Sequence, residues 1–378
     1  MRIGIEAQRI FRPKKHGMEV VAIELIRQLQ KLDKQNEYVL FIKPDVDKEA
    51  VKETSNFKIK MIPAFTYPVW EQIKLPGIVK NENIDFLHCT SNTAPLKNYV
   101  PLLLTLHDII YLEKIDFKGT SYQNFGNIYR RFIVKRIIGK AQIITTVSHW
   151  EKQRIIERFK LPEEKVEVIY NAVNAMFNNN FTESEILNFK EKFQLPEKFI
   201  LFLGNTAPKK NTYNVIRGFV HYCRSLKTCI PLVLLDYDKS LVERILVELN
   251  AMHLLSSIIF PGYIPHSQMP LMYNSATLFL YPSLRESFGL PILEAMSCGL
   301  PVITSTTSSM PEVAGNAALL VDPFNYQAIA EGMATMLSNE NERLTYKRKG
   351  LERAKDFTWE ASAKKLLSVY YKMKPPNK

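Results

Sequence analysis

The sequence predicts an α/β protein built from two doubly wound parallel sheets. Three observations carry that prediction. Short β-branched runs alternate with longer amphipathic stretches from end to end. Several runs, among them ILFLG, PLVLL and LFLYP, are apolar without alternation, as strands buried on both faces must be. The polar segment 171–185 (NAVNAMFNNNFTESE), rich in turn and cap residues, divides the runs into two sets. Strand–helix alternation implies right-handed crossovers, hence parallel sheets with helices on both faces.

The first set of strand candidates comprises 2–7, 37–43, 58–63, 84–90, 102–107, 143–148 and 166–170. The second comprises 199–204, 231–236, 257–262, 278–282, 302–304 and 318–322. The expected domains are therefore 1–175 and 176–357. A final amphipathic helix, 358–373, places Trp359, Ala363, Leu366, Leu367 and Tyr370 at helical spacing. Periodicity alone leaves open which domain it packs on.

A chain of 378 residues suits two domains of ordinary size, and 46% hydrophobic with 23% charged residues is a soluble globular composition. The four cysteines show no metal-type pair and no disulfide framework, so they read as reduced, mostly buried thiols of a cytoplasmic protein. No apolar leader follows the N-terminus, and no run reaches the roughly 18–20 residues of a membrane span. A net charge of +12 admits nucleic acid, an anionic membrane or a phosphate-bearing substrate as partner.

The stretch 281–323, YPSLRESFGLPILEAMSCGLPVITSTTSSMPEVAGNAALLVDP, carries the chemistry. A buried strand runs into a polar turn, then Phe288-Gly289-Leu290, and Pro291 opens a helix. Gly289 lets backbone N–H groups approach a ligand, and a helix start at the carboxyl end of a parallel strand favours an anion. Glu286 and Glu294 flank this turn with seven residues between them. Both could accept hydroxyl protons from one sugar-bearing ligand; Glu294 could instead offset the helix dipole.

Glu286-Ser-Phe-Gly-Leu-Pro-Ile-Leu-Glu294, with Cys298-Gly-Leu-Pro-Val-Ile303 and Pro311-Glu312-Val313, resembles the E-x7-E signature of the retaining group 1 glycosyltransferases. The likeness extends through Phe260-Pro-Gly262-Tyr263 and Pro270-Leu-Met-Tyr273. The resemblance implies the GT-B fold: two Rossmann-like domains facing across a cleft, an acceptor side in 1–175, a nucleotide-sugar donor side in 176–357, and the C-terminal segment 358–378 returning to the first domain. It assigns Glu286 to hydroxyls of the transferred sugar and Glu294 to the ribose. It places Phe288, Gly289, Leu290 and Gly262 at the donor.

Lys209 and Lys210 follow the strand ILFLG, where two cations could neutralise a departing diphosphate in place of a metal. The family places an arginine–lysine pair here. Lysine at 209 lacks the bidentate fork, which favours Lys210 as the catalytic cation. Asp236-Tyr237-Asp238 imitates a metal-binding DxD motif, as does Asp45-Val46-Asp47, but Asp238 or Ser240 suits a helix cap, and no metal is expected.

In the first domain the resemblance puts His107 near the transferred sugar or the acceptor, with Asp108 orienting its loop, and Gly17 in a loop facing the substrates. A plain connecting loop is the alternative for Gly17. Residues 129–140 form a basic amphipathic helix without an acid. It can pack as an ordinary surface helix or dock on an anionic bilayer carrying a lipid-linked acceptor.

The expected function is thus metal-independent, retaining transfer of a hexose from a GDP- or UDP-sugar to a saccharide or lipid-linked saccharide, in bacterial cell-surface polysaccharide synthesis. The expected location is cytoplasmic or peripheral at the inner membrane face. The rival readings are a sugar-nucleotide epimerase or hydrolase of the same fold, and a non-enzymatic nucleic-acid binder. The binder lacks a recognisable module.

Overall fold

The computed structural model describes residues 1–113, 121–224, 226 and 229–373. Residues 374–378 of the expected C-terminal segment lie outside the described residues. The chain forms two compact units, Met1–Asn171 with Trp359–Lys378, and Ala172–Thr358.

The first unit holds seven parallel strands: β1 (Arg2–Glu6), β2 (Glu37–Ile42), β3 (Phe57–Met61), β4 (Phe86–Cys89), β5 (Leu102–Thr105), β6 (Ile143–Thr146) and β7 (Val166–Val168). They lie in the order β3-β2-β1-β4-β5-β6-β7. The second unit holds β8 (Ile200–Leu203), β9 (Leu232–Leu235), β10 (Ile258–Ile259), β11 (Leu278–Tyr281), β12 (Val302–Ser305) and β13 (Leu319–Val321), in the order β10-β9-β8-β11-β12-β13, again all parallel. Each run read as a strand coincides with one to within a few residues. The fold is that of the GT-B enzymes.

Central strands such as Leu278–Tyr281 and Leu232–Leu235 are buried at every residue, which is why their sequences lack alternation. In both sheets the strand order reverses direction beside the first strand, between β1 and β4 and between β8 and β11. Such switch points open a crevice at the carboxyl ends of the strands, where loops can hold a ligand.

The C-terminal helix, Trp359–Lys372, belongs to the first unit and packs on helix Gly17–Leu32. Its Ser362 hydroxyl donates to the Tyr170 carbonyl at 2.7 Å, and the Tyr370 hydroxyl meets His88 Nδ1 at 2.9 Å. Two further lysines, Lys365 and Lys372, pair with Glu167.

The reading of four reduced thiols is corrected at one pair. Cys223 and Cys229, six residues apart, form a disulfide between the end of helix Thr212–Arg224 and the approach to β9. Cys89 and Cys298 are free and buried.

Candidate active site

The second unit gathers charge at its switch point. The loop after β8 carries Lys209 and Lys210 in a short turn, Pro208–Lys210, and the loop after neighbouring β11 carries Glu286. Lys210 Nζ lies 2.7 Å from Glu286 Oε1, and Lys209 Nζ 3.5 Å from Oε2. Lys210 Nζ also reaches the Tyr281 hydroxyl at 2.9 Å and sits 4.8 Å from the centre of that ring. Burial pushes the Glu286 carboxyl up. The charges of Lys210 and Lys209, with hydrogen bonds from Lys210 and Tyr281, outweigh it and hold the group below the usual range. Glu286 is therefore an ionised carboxylate with 8% of its surface exposed.

Main-chain contacts fix this cluster. Asn211, in the left-handed region at φ 61°, closes the basic turn, and its Nδ2 donates to the carbonyls of Pro282 at 3.0 Å and Pro323 at 2.7 Å. The Leu284 N–H donates to the Lys209 carbonyl at 2.7 Å. One loop is thereby bound to the other, and the ammonium groups arrive beside the carboxylate.

A run of hydroxyls at the end of β12 and just beyond it grips the far side of the Glu286 turn. Thr304 donates to the Tyr281 carbonyl at 2.9 Å, Ser305 to that of Ser283, and Thr307 to that of Leu284 at 3.3 Å. Ser308 Oγ donates to the Glu286 carbonyl at 2.6 Å and accepts from its N–H at 3.1 Å. Ser309 Oγ, fully buried, lies 3.0 Å from the Glu286 carbonyl and 2.9 Å from that of Phe288. No role follows for TSTTSS from the sequence alone, where it is a polar run at the end of a buried strand.

Gly289 has φ 102°, a conformation closed to most side chains, and stands as N-cap of helix Leu290–Ser297. Leu290 is the first helical residue and Pro291 the second, one place later than the sequence suggested. Glu294 is then the fifth residue, in the second turn, where a dipole offset is weak. It is half-buried. Its Oε2 accepts a hydrogen bond from Tyr273 at 3.0 Å, and burial, only partly countered by that bond, pushes its pKa to about 7. Phe288 turns its side chain into the core, edge-on to Phe357 at 5.8 Å, so only its backbone is available to a ligand. Gly262 follows the edge strand β10, exposed, at φ 82°. Asp238 caps helix Lys239–Glu248 by accepting from the Ser240 N–H at 2.7 Å. Asp47 pairs with Lys15.

His107 and Gly17 belong to the first unit. His107 follows β5 and is buried; its N–H donates to Asn92 Oδ1 at 2.6 Å and its Nε2 lies 2.9 Å from the Thr90 carbonyl. A carbonyl only accepts, so Nε2 carries the proton. Burial lowers the pKa against the opposing pull of the Thr90 carbonyl, Asp108 and Glu19, which keeps the imidazole neutral. Asp108 accepts from the Ile110 N–H at 3.0 Å and so shapes the loop. Gly17 is the exposed first residue of its helix; a Cβ there would meet nothing within 4 Å, so the backbone makes no special demand for glycine.

The description "Glycosyl transferases group 1" matches residues 183–353, and "Glycosyltransferase Family 4" matches 16–176. Both halves of the chain thus match glycosyltransferase families, and the second half matches that of group 1. The chain is 32% identical over 238 residues to O-antigen chain mannosyltransferase B of Escherichia coli, a match spanning 62% of this chain and 61% of that protein. It is 31% identical over 261 residues to the serotype-specific mannosyltransferase WbdA of Escherichia coli, covering 68% of this chain but 32% of WbdA. Among solved structures it resembles Anabaena Alr3699/HepE in complex with UDP and glucose, with a TM-score of 0.72 and 17% identity over 98% of this chain and 99% of that one.

Proposed function

We propose that the chain is a retaining, metal-independent glycosyltransferase that moves a hexose from a nucleotide-diphosphate sugar to a saccharide or lipid-linked saccharide in surface polysaccharide synthesis. The observation that carries the proposal is the ionised Glu286 paired to Lys210 and Lys209 beside the Gly289 helix start. A carboxylate suited to sugar hydroxyls and two cations suited to a diphosphate meet beside a helix N-terminus. The names of the two Escherichia coli relatives make mannose the first sugar to test, with GDP and UDP as the donor nucleotides to compare.

In this reading Glu286 accepts hydrogen bonds from hydroxyls of the transferred sugar and Glu294 from the ribose. The backbone at Phe288, Gly289 and Leu290 meets the diphosphate, with Gly262 a further donor contact. As the bond from the anomeric carbon to the β-phosphate oxygen breaks, Lys209 and Lys210 neutralise the growing charge, which a metal would otherwise do. The acceptor oxygen bonds to the same face of the anomeric carbon, and its proton passes to the departing phosphate oxygen. His107 and Gly17 are assigned to the acceptor side.

A donor screen by thermal shift, with GDP-, UDP-, ADP- and TDP-sugars and with or without chelator, tests this. A shift by one donor family that survives chelator, followed by chelator-resistant transfer with retained anomeric configuration, is the expected result. Chelator-sensitive transfer, or inversion, would overturn the corresponding part.

Membrane contact belongs to the same proposal. Helix Ser121–Ile137 exposes Phe125, Ile128 and Phe132, each about half accessible and spaced along one side, beside exposed Lys135, Arg136 and Lys140. No described helix is long and apolar enough to cross a membrane. Binding to vesicles containing anionic lipid, weakened by salt and by Phe132→Ser, is expected in flotation; equal failure to bind with and without anionic lipid would refute the contact.

A further inference from the structure

Among the described residues, one side chain donates a hydrogen bond to Glu294: the Tyr273 hydroxyl, to Oε2 at 3.0 Å. Tyr273 lies on helix Met269–Ser275, fully buried, with its ring edge-on to Phe177 at 5.9 Å and to Phe279 at 5.4 Å. Clamped between two aromatic rings, the phenol cannot swing. Its O–H is therefore a fixed donor, and the carboxylate it holds has a fixed direction, leaving the second oxygen for another partner.

We propose that Tyr273 is the positioning residue for ribose recognition: its hydroxyl occupies one oxygen of Glu294 and aims the carboxylate at the vicinal hydroxyls of the nucleotide. The inference rests on the reading of Glu294 as the ribose ligand. A diol donates two hydrogen bonds, and a carboxylate accepts them well only when ionised; protonation turns one acceptor into a donor. Burial drives Glu294 toward the neutral form, to about pH 7, and the Tyr273 bond is the opposing influence.

The titratable neighbours do not blur this. Burial holds the Tyr273 and Tyr281 hydroxyls well above their usual range, and pushes the Cys298 thiol, at the end of the same helix, to about 12. Of these four groups only Glu294 titrates near neutrality. Of the other helices packed against Leu290–Ser297, Met310–Ala314 carries Glu312, and Glu340–Ala354 brings Glu340, Arg343 and Lys347 to the cavity that Tyr273 and Cys298 line.

The test is titration calorimetry of GDP and UDP, and of their 2′-deoxy analogues, against wild type, Tyr273→Phe and Glu294→Ala across the neutral range. Phenylalanine keeps the ring and the core. Tyr273→Phe should bind the preferred ribonucleotide about tenfold more weakly near pH 6–7, a loss of about 1.4 kcal/mol, and recover to within a few-fold near pH 8.5. Its preference for ribose over deoxyribose should fall in parallel. A loss equal at every pH would mean that the hydroxyl does not act through the ionisation of Glu294, and no loss at any pH would mean that the tyrosine only fills space; either overturns the proposal. Glu294→Ala should abolish the ribose preference. If that variant binds like wild type, the ribose reading itself is wrong and the role of Tyr273 falls with it.

Discussion

Lys210 and Glu286 meet at 2.7 Å where little water reaches, with side chains 21% and 11% exposed. Removing one member of such a pair leaves a charge without compensation, which costs about 3–5 kcal/mol, more than the intact pair is worth. Lys210→Met should therefore lower both the thermal stability of the second unit and the transfer rate, the latter by about 10²-fold or more. Adding Glu286→Gln should restore much of the stability and none of the turnover. Scanning calorimetry beside a transfer assay separates the two; a single variant with normal stability and turnover would remove the pair from both roles. Lys209→Met should have a smaller effect, because Nζ stands at 3.5 Å and its side chain is 36% exposed. At this scale the motif spacing marked Glu286 and Glu294, and the loop position marked the lysines. That these groups touch was not legible. Lys210 and Glu286 are far apart in the chain, and they meet only because β8 and β11 are sheet neighbours.

The element that makes the site stiff is the hydroxyl-rich loop after β12, which sequence reading passed over. Ser308 sits at φ 59°, a strained conformation for serine, and holds it with two hydrogen bonds to Glu286. Ser309 shares one buried hydroxyl between two carbonyls of the turn. Ser309→Ala removes that donor at a cost of about 1 kcal/mol and should leave the fold intact. The expected consequence is local: faster hydrogen exchange at the amides of Phe288, Gly289 and Leu290, with turnover falling about tenfold. Unchanged exchange would show that the turn is held by its own backbone. Strand runs were legible because burial on both faces leaves a compositional trace. The hydroxyl loop and the Cys223–Cys229 bond leave none, since each is defined by what a neighbouring element presents to it.

At the scale of the whole molecule, burial pushes a carboxyl in each unit from its ordinary 4.5 to about 7: Glu6 at the end of β1, and Glu294. For Glu6, burial is the main cause. The amides of Gln8 at 3.0 Å and Thr90 at 3.2 Å oppose it, while the nearby Glu71 adds to it. A carboxyl that binds its proton more tightly when folded stabilises the fold below its unfolded pKa. That stability is lost as pH rises from about 4.5 through about 7. Such a displacement is worth at most about 3 kcal/mol for Glu6, which is 1% exposed. Glu286 has the opposite sign: its pairing stabilises the protein above about 4.5 and is lost only as acid titrates it below that, so the two windows do not overlap. The net charge of +12 also works against the Glu6 effect, since raising the pH relieves self-repulsion. A raw stability profile therefore mixes the terms, and the informative quantity is a difference. Glu6→Gln keeps the volume without the charge, at the pH-independent cost of one acceptor, because both Glu6 oxygens accept from backbone N–H groups and the amide nitrogen only donates. Its stability relative to wild type should therefore rise by about 1–3 kcal/mol between about pH 5 and about pH 8. Urea unfolding of both proteins across that range measures it. A difference that stays flat with pH would mean that Glu6 is no harder to ionise in the folded chain than in the unfolded one.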